Sequence, residues 1–214
     1  MRVEIWSDVV CPWCYLGKRR LEQALERFPH RDRIDIVWRS FELDPDAPSV
    51  PQDLTARLAS LYGMSAQEAA ERNAQMTELA AESGLHFRLD IAKPANTFDA
   101  HRVLHVARAE GLESEAKERL LAAYFSEGRV ISDADTLVGL AADVGVDPDR
   151  TRTALGDESF AGEVRADERE AVELGITGVP FFVLGRRYAV SGAQPAELLL
   201  QAVEQAWADT MPAA

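Results

Sequence analysis

Cysteine is nearly missing from this sequence: there are two in 214 residues, both inside one tetrapeptide. That excludes a disulfide scaffold, and a staple across two intervening residues would close almost no loop and stabilise little. The pair calls for a chemical explanation. Basic charge is also scarce. Lys and Arg number 23 against 36 Asp and Glu, a net charge of −13. Such a surface is repelled by a nucleic-acid duplex, which carries one negative charge per ~1.7 Å, and by anionic membranes. No apolar run approaches the roughly 20 residues that span a bilayer. The longest useful one, Val179 to Leu184, has the length of a buried strand. The opening M-R-V-E-I-W-S alternates apolar and polar residues. It lacks the apolar core and small-residue cleavage site of a secretory signal, so a cytoplasmic location is expected. Apolar residues at 47% and charged residues at 28% are ordinary for a globular chain, which excludes general disorder.

What is present reads as an α/β layer split by helices. Val3, Ile5 and Trp6 give a first strand. Leu16, Leu21, Ala24, Leu25 and Phe28 follow at helical spacing, stopping before Pro29. Ile34, Ile36, Trp38 and Phe41 suggest a second strand, so the start is a parallel βαβ unit. Prolines 45, 48 and 51 mark a boundary. Beyond them Ser65 to Glu68 form a capping box with a stop at Gly84, and Asn96 or Thr97 can cap a helix ending at Gly111. Further helices are expected from Ser114 to Phe125, from Ser132 into Val144, after Asp147-Pro148, and from about Glu158 to Leu174. Strands return at Phe181 to Leu184 and Tyr188 to Val190 as an antiparallel hairpin turning at Gly185, before a last helix from Gln194-Pro195 to Trp207.

The chemistry centres on Cys11-Pro12-Trp13-Cys14, placed directly after the first strand and opening the first helix. A helix N-terminus stabilises a thiolate through its dipole and unpaired N–H groups. Cys11 is then both a reactive nucleophile and a good leaving group when Cys14 resolves a mixed disulfide. Pro12 suits the first helical turn because no N–H is needed there. Trp13 can shield the thiols, dock an apolar substrate, or simply pack. C-x-x-C is also half of a zinc site. His101 and His105, four apart on a predicted helix, could complete it, but Arg102 stands where a zincin has its Glu. Two histidines on a helix face are the simpler reading, and no metal site is expected.

Gly175-Ile-Thr-Gly-Val-Pro180 carries the second signal. A proline at the start of a strand that should be central is a misfit, which a cis peptide bond after Val179 would resolve.

Together these residues resemble a family. The C-P-W-C after a first strand and Gly178-Val-Pro180 before a late hairpin look like the thioredoxin fold. The helical block between βαβ and ββα resembles the DsbA branch of it. S-D-V-V-C-P-W-C-Y-L-G (7–17) and N-T-F-D-A-H-R (96–102) resemble the cytoplasmic FrnE-like subfamily, related to 2-hydroxychromene-2-carboxylate isomerase and kappa-class glutathione transferases. The resemblance implies a thioredoxin-like domain over 1–48 and 158–214 with a helical insertion over 50–157, covering the dithiol. It implies thiol–disulfide exchange with Cys11 attacking, Cys14 resolving and Pro180 as the facing cis-proline. Val179 would offer its backbone to an extended substrate, and Asn96 and Thr97 would approach the site unless they merely cap a helix. No cofactor is implied beyond the dithiol, with glutathione a candidate co-substrate. The partners are protein or small-molecule thiols and disulfides, and a homodimer is left open. Thioredoxin has a buried acid six residues before its first active cysteine, where this chain has Ile5. Asp8 lies nearer, but capping or turn formation is its expected task. The isomerase and transferase relatives have serine at the first cysteine position, so two cysteines favour exchange. A glutathione-dependent isomerase or transferase acting on a small aromatic molecule, and a zinc-stabilised binding module, are the alternatives.

Overall fold

The computed structural model describes residues 1–210, in the order β1 (Arg2–Ser7), α1 (Pro12–Glu26), a 3-10 turn (Arg31–Arg33), β2 (Asp35–Ser40), α2 (Leu54–Tyr62), α3 (Ala66–Glu82), α4 (Phe98–Ala109), α5 (Glu113–Phe125), α6 (Ala134–Asp143), α7 (Pro148–Gly156), α8 (Ala161–Glu173), β3 (Phe181–Leu184), β4 (Tyr188–Ser191) and α9 (Ala196–Ala208). They form two compact units: Met1–Leu43 with the described residues from Arg165 onward, and Asp44–Val164.

The first unit is built on a four-stranded sheet of order β2-β1-β3-β4. β1 runs parallel to β2, from Arg2 opposite Asp35 to Ser7 opposite Ser40, and antiparallel to β3, from Val3 opposite Leu184 to Trp6 opposite Phe181. β1 is therefore central, and every residue of it after Arg2 is buried. Val3 and Ile5 pack with Leu21 and Leu25 of α1 and Leu199 and Val203 of α9. On the other face Trp6 packs with Ala171 and Ile176, flanked by half-buried Phe41, Val179, Phe181 and Val183. Burying each large apolar side chain contributes about 1.5–3 kcal/mol. The hairpin expected around Gly185 forms, with Gly185 and Arg186 both at positive φ (58° and 57°). This is the α/β, thioredoxin-like arrangement expected, with helices on both faces of the sheet.

The second unit is helical. α4 packs against α5, α6 and α7, and α2 against α3. Ser65 and Glu68 form the anticipated capping box, and Gly84 follows the end of α3 at φ +75°. The proline-rich stretch belongs to this unit: Asn96 donates through Nδ2 to the Pro45 carbonyl (3.1 Å) and through its backbone N–H to that of Pro48 (3.0 Å), while Gln52 N–H donates to the Pro94 carbonyl (3.0 Å). The units thus divide ahead of the prolines rather than among them. α2 was not anticipated. Its apolar residues Leu54, Leu58, Leu61 and Tyr62 recur at helical spacing, but none of its residues is fully buried.

Candidate active site

Cys11 is the N-cap of α1, with extended backbone (φ −89°, ψ 113°) and Pro12 at the first helical position. Its carbonyl accepts the N–H groups of Cys14 (3.0 Å) and Tyr15 (3.3 Å), while the Trp13 N–H has no acceptor among the described residues. That amide and the helix dipole are available to a thiolate at the N-cap. Neither cysteine is in a disulfide among the described residues. Both are also buried, Cys11 3% and Cys14 1% exposed, whereas Trp13 between them is 46% exposed. The Cys11 Sγ donates to the Val179 carbonyl across 3.6 Å.

Val179 belongs to the second sequence signal, and the Val179–Pro180 bond is cis, as anticipated. Pro180 is buried, and its carbonyl accepts the Gly192 N–H (2.8 Å). The Val179 N–H has no acceptor among the described residues. Pro180 packs on α1 at Gly17, three residues past Cys14, because only a glycine leaves room there. Proline brings no N–H to the thiols it neighbours. Cys11, Cys14, Trp13, Val179 and Pro180 therefore share the sheet unit.

Asn96 and Thr97 lie in the helical unit, and their local roles are those of a helix start. Asn96 Oδ1 accepts the Phe98 N–H (2.9 Å). Thr97 stands at the N-cap of α4 without a side-chain cap bond, its carbonyl accepting the His101 N–H (3.0 Å). His101 and His105 are both buried, the latter stacked on Phe160 at 6.4 Å. Among the described residues no three His, Cys, Asp or Glu side chains gather closely enough to hold a metal ion.

Buried acids of the sheet unit went largely unread in the sequence. Glu4, 1% exposed, takes Arg39 Nε (3.1 Å) and Arg186 Nη2 (2.6 Å) on its Oε1. Burial pushes its carboxyl up, but hydrogen bonds and charge from Arg186 and Arg39 outweigh this and hold it below the usual value. Arg39 also donates to Asp167 (2.8 Å), which accepts the Ser40 N–H (2.9 Å). Glu42 follows β2 and meets Arg165 (2.6 Å), which Glu168 shares (2.6 Å). Burial raises Glu42 to about 7, with Arg165 opposing and the Glu168 charge adding to the rise. Asp8 does form a turn, as expected, with Oδ1 accepting the Val9 N–H (2.7 Å); its Oδ2 also reaches the Leu43 N–H (2.8 Å). In the alternating sequence of β1, Glu4 falls on the face with Arg2 and gives no local sign that this position is buried.

Comparison with known proteins places the geometry among relatives. The family described as DSBA-like thioredoxin domain matches residues 2–204. A probable DsbA oxidoreductase of Streptomyces coelicolor is 47% identical, with a TM-score of 0.94 over 100% of this chain and 93% of that one. The cytosolic disulfide reductase DsbM of Pseudomonas aeruginosa, in a structure with glutathione, is 19% identical with a TM-score of 0.67 over 98% and 97%. A 2-hydroxychromene-2-carboxylate isomerase is 17% identical with a TM-score of 0.70 over 98% of each chain. The last two likenesses are of fold.

Proposed function

Since this chain belongs to the DSBA-like thioredoxin domain family, we propose that it is a protein-disulfide oxidoreductase or isomerase of the FrnE-like kind, exchanging disulfides through Cys11 and Cys14 in the cytoplasm. The observation that carries this reading is Cys11 at the N-cap of α1 with its sulfur against the Val179 carbonyl. The residue before Pro180 presents an N–H with no acceptor among the described residues. That N–H is a natural partner for an extended substrate backbone.

The reaction follows from two thiols on one helical turn. The Cys11 thiolate attacks one sulfur of a substrate disulfide, forming a mixed disulfide and expelling the other substrate sulfur as a thiolate. Cys14, once deprotonated, attacks the Cys11 sulfur and expels the second substrate thiolate. Two electrons have then passed to the substrate, and the pair is left as a Cys11–Cys14 disulfide. Run backwards, the same steps oxidise a dithiol. Trp13 is the exposed apolar surface beside the pair. Glutathione is a suitable small thiol for returning the pair to its starting state, a role suggested by the fold likeness to a reductase whose structure holds it.

The test is reduction of insulin and refolding of scrambled ribonuclease. Cys11→Ser is expected to abolish both, while Cys14→Ser should accumulate a mixed disulfide through Cys11. Undiminished insulin reduction by Cys11→Ser would refute the assignment.

A further inference from the structure

Asp8 is 1% exposed and joins two pieces of chain, its own loop and the stretch just past β2. Its Oδ1 accepts the Val9 N–H at 2.7 Å, its Oδ2 the Leu43 N–H at 2.8 Å, and its carbonyl the Cys11 N–H at 3.4 Å. Leu43 lies just past β2, while Val179, which meets the Cys11 sulfur, lies just before β3. β2 and β3 flank β1 on opposite sides. The loop that leaves β1 is thus held toward the β2 side by Asp8 and meets the β3 side through Cys11.

We propose that Asp8 is a positioning residue for the attacking thiol: its carboxylate clamps the 8–11 loop to the backbone of Leu43, and so fixes the Cys11 sulfur at the N-terminus of α1 beside Val179. This rests on reading Cys11 and Cys14 as an exchanging pair. The clamp needs a carboxylate, since both oxygens receive N–H donors. An asparagine offers one acceptor oxygen and would turn its amide N–H groups toward the other donor.

Two variants approach the clamp from its two ends. Asp8→Asn removes an acceptor and the charge. Leu43→Pro removes the donor N–H, keeps the charge and alters a side chain that is half exposed. The full-length variants are compared with the parent by thermal unfolding, by insulin reduction, and by the pH profile of Cys11 alkylation with iodoacetamide. Positioning predicts cooperative unfolding in both, a tenfold or greater fall in kcat/KM, and an alkylation half-point moved to higher pH in both. A purely electrostatic role would move Asp8→Asn to lower pH and leave Leu43→Pro unchanged, which overturns the proposal. Parental rates and profiles overturn it too, as does loss of the fold in Asp8→Asn, which would make the clamp merely structural. If the parent itself neither reduces insulin nor equilibrates with glutathione, the exchange reading fails, while the alkylation profiles still decide the role of Asp8.

Discussion

The ring of Pro180 occupies the space that a side chain on Gly17 would fill: a methyl group there would stand 2.8 Å from Pro180 Cγ and 3.3 Å from Phe182 Cζ. Gly17 sits inside α1, where alanine would ordinarily stabilise by about 1 kcal/mol. Overpacking costs about 1–3 kcal/mol and acts here on a rigid ring and a buried strand residue. Gly17→Ala is therefore expected to lower stability by roughly 1 kcal/mol and to slow disulfide exchange several-fold, since the loop carrying Val179 must move away from α1. Thermal unfolding beside insulin reduction checks this. A variant more stable than the parent and equally active would show that the contact is soft.

The two thiols differ little in exposure, so their order of reaction must come from chemistry rather than access. Cys11 has the N-cap position of α1 and lies beside the Trp13 amide, which has no acceptor among the described residues. Iodoacetamide should modify Cys11 first, more slowly than a free cysteine because the sulfur is covered, with Cys14 protected. Peptide mass mapping at partial modification reads the order. Initial labelling at Cys14 would exchange the roles of the two residues.

Glu42 gives stability a pH slope of unusual sign. Its carboxyl is raised by burial to about 7, so between about 4.5 and 7 the folded chain holds a proton that the unfolded chain releases. The contribution is intact below the unfolded value and is lost as pH rises through about 7, a loss on the order of 1–3 kcal/mol. Glu42→Gln, which can still accept the Arg165 N–H, should flatten the melting temperature over pH 5–8 and raise it at pH 8. An unchanged slope would assign the effect to other groups.

Glu4 acts in the opposite sense. Arg186 and Arg39 hold its carboxyl low, so its contribution is present above the unfolded value and lost as pH falls through the lowered one. Arg39→Met leaves Glu4 and Asp167 buried without this partner, at a cost of about 3–5 kcal/mol. At neutral pH that is a fall of roughly 10 °C in melting temperature. The difference from the parent should narrow in acid. A gap that stays constant to pH 3 would point to lost packing of the Arg39 stem instead.

Much of the sheet unit was legible because its signals are local. Alternation marked β1 and β2, Pro12 fixed the start of α1, and the Gly185 turn separated β3 from β4. The dithiol and Pro180 were readable as chemistry out of place in an otherwise ordinary chain. α2 was not singled out, although Leu54, Leu58, Leu61 and Tyr62 recur at helical spacing between its Asp53 cap and the left-handed Gly63 that ends it; the signal was short and lay beside the prolines. Nor were the acids. A charge at alternate positions of a strand normally faces water, and only the arrival of β3 and α8, distant in sequence, turns the Glu4 position inward. Asp8 was read as a turn former, which it is; its second oxygen depends on Leu43, beyond the reach of local pattern.

The contact between the Cys11 sulfur and the Val179 carbonyl joins residues 168 apart. During synthesis at about 5–20 residues per second, the dithiol is made at the very start and waits roughly 10–30 s for that neighbour. β1 waits equally long for β3, its partner on one edge. A newborn chain therefore displays its reactive sulfurs well before it has the surroundings that govern them, and a message cut short after the helical unit would release two bare thiols with no exchange site around them.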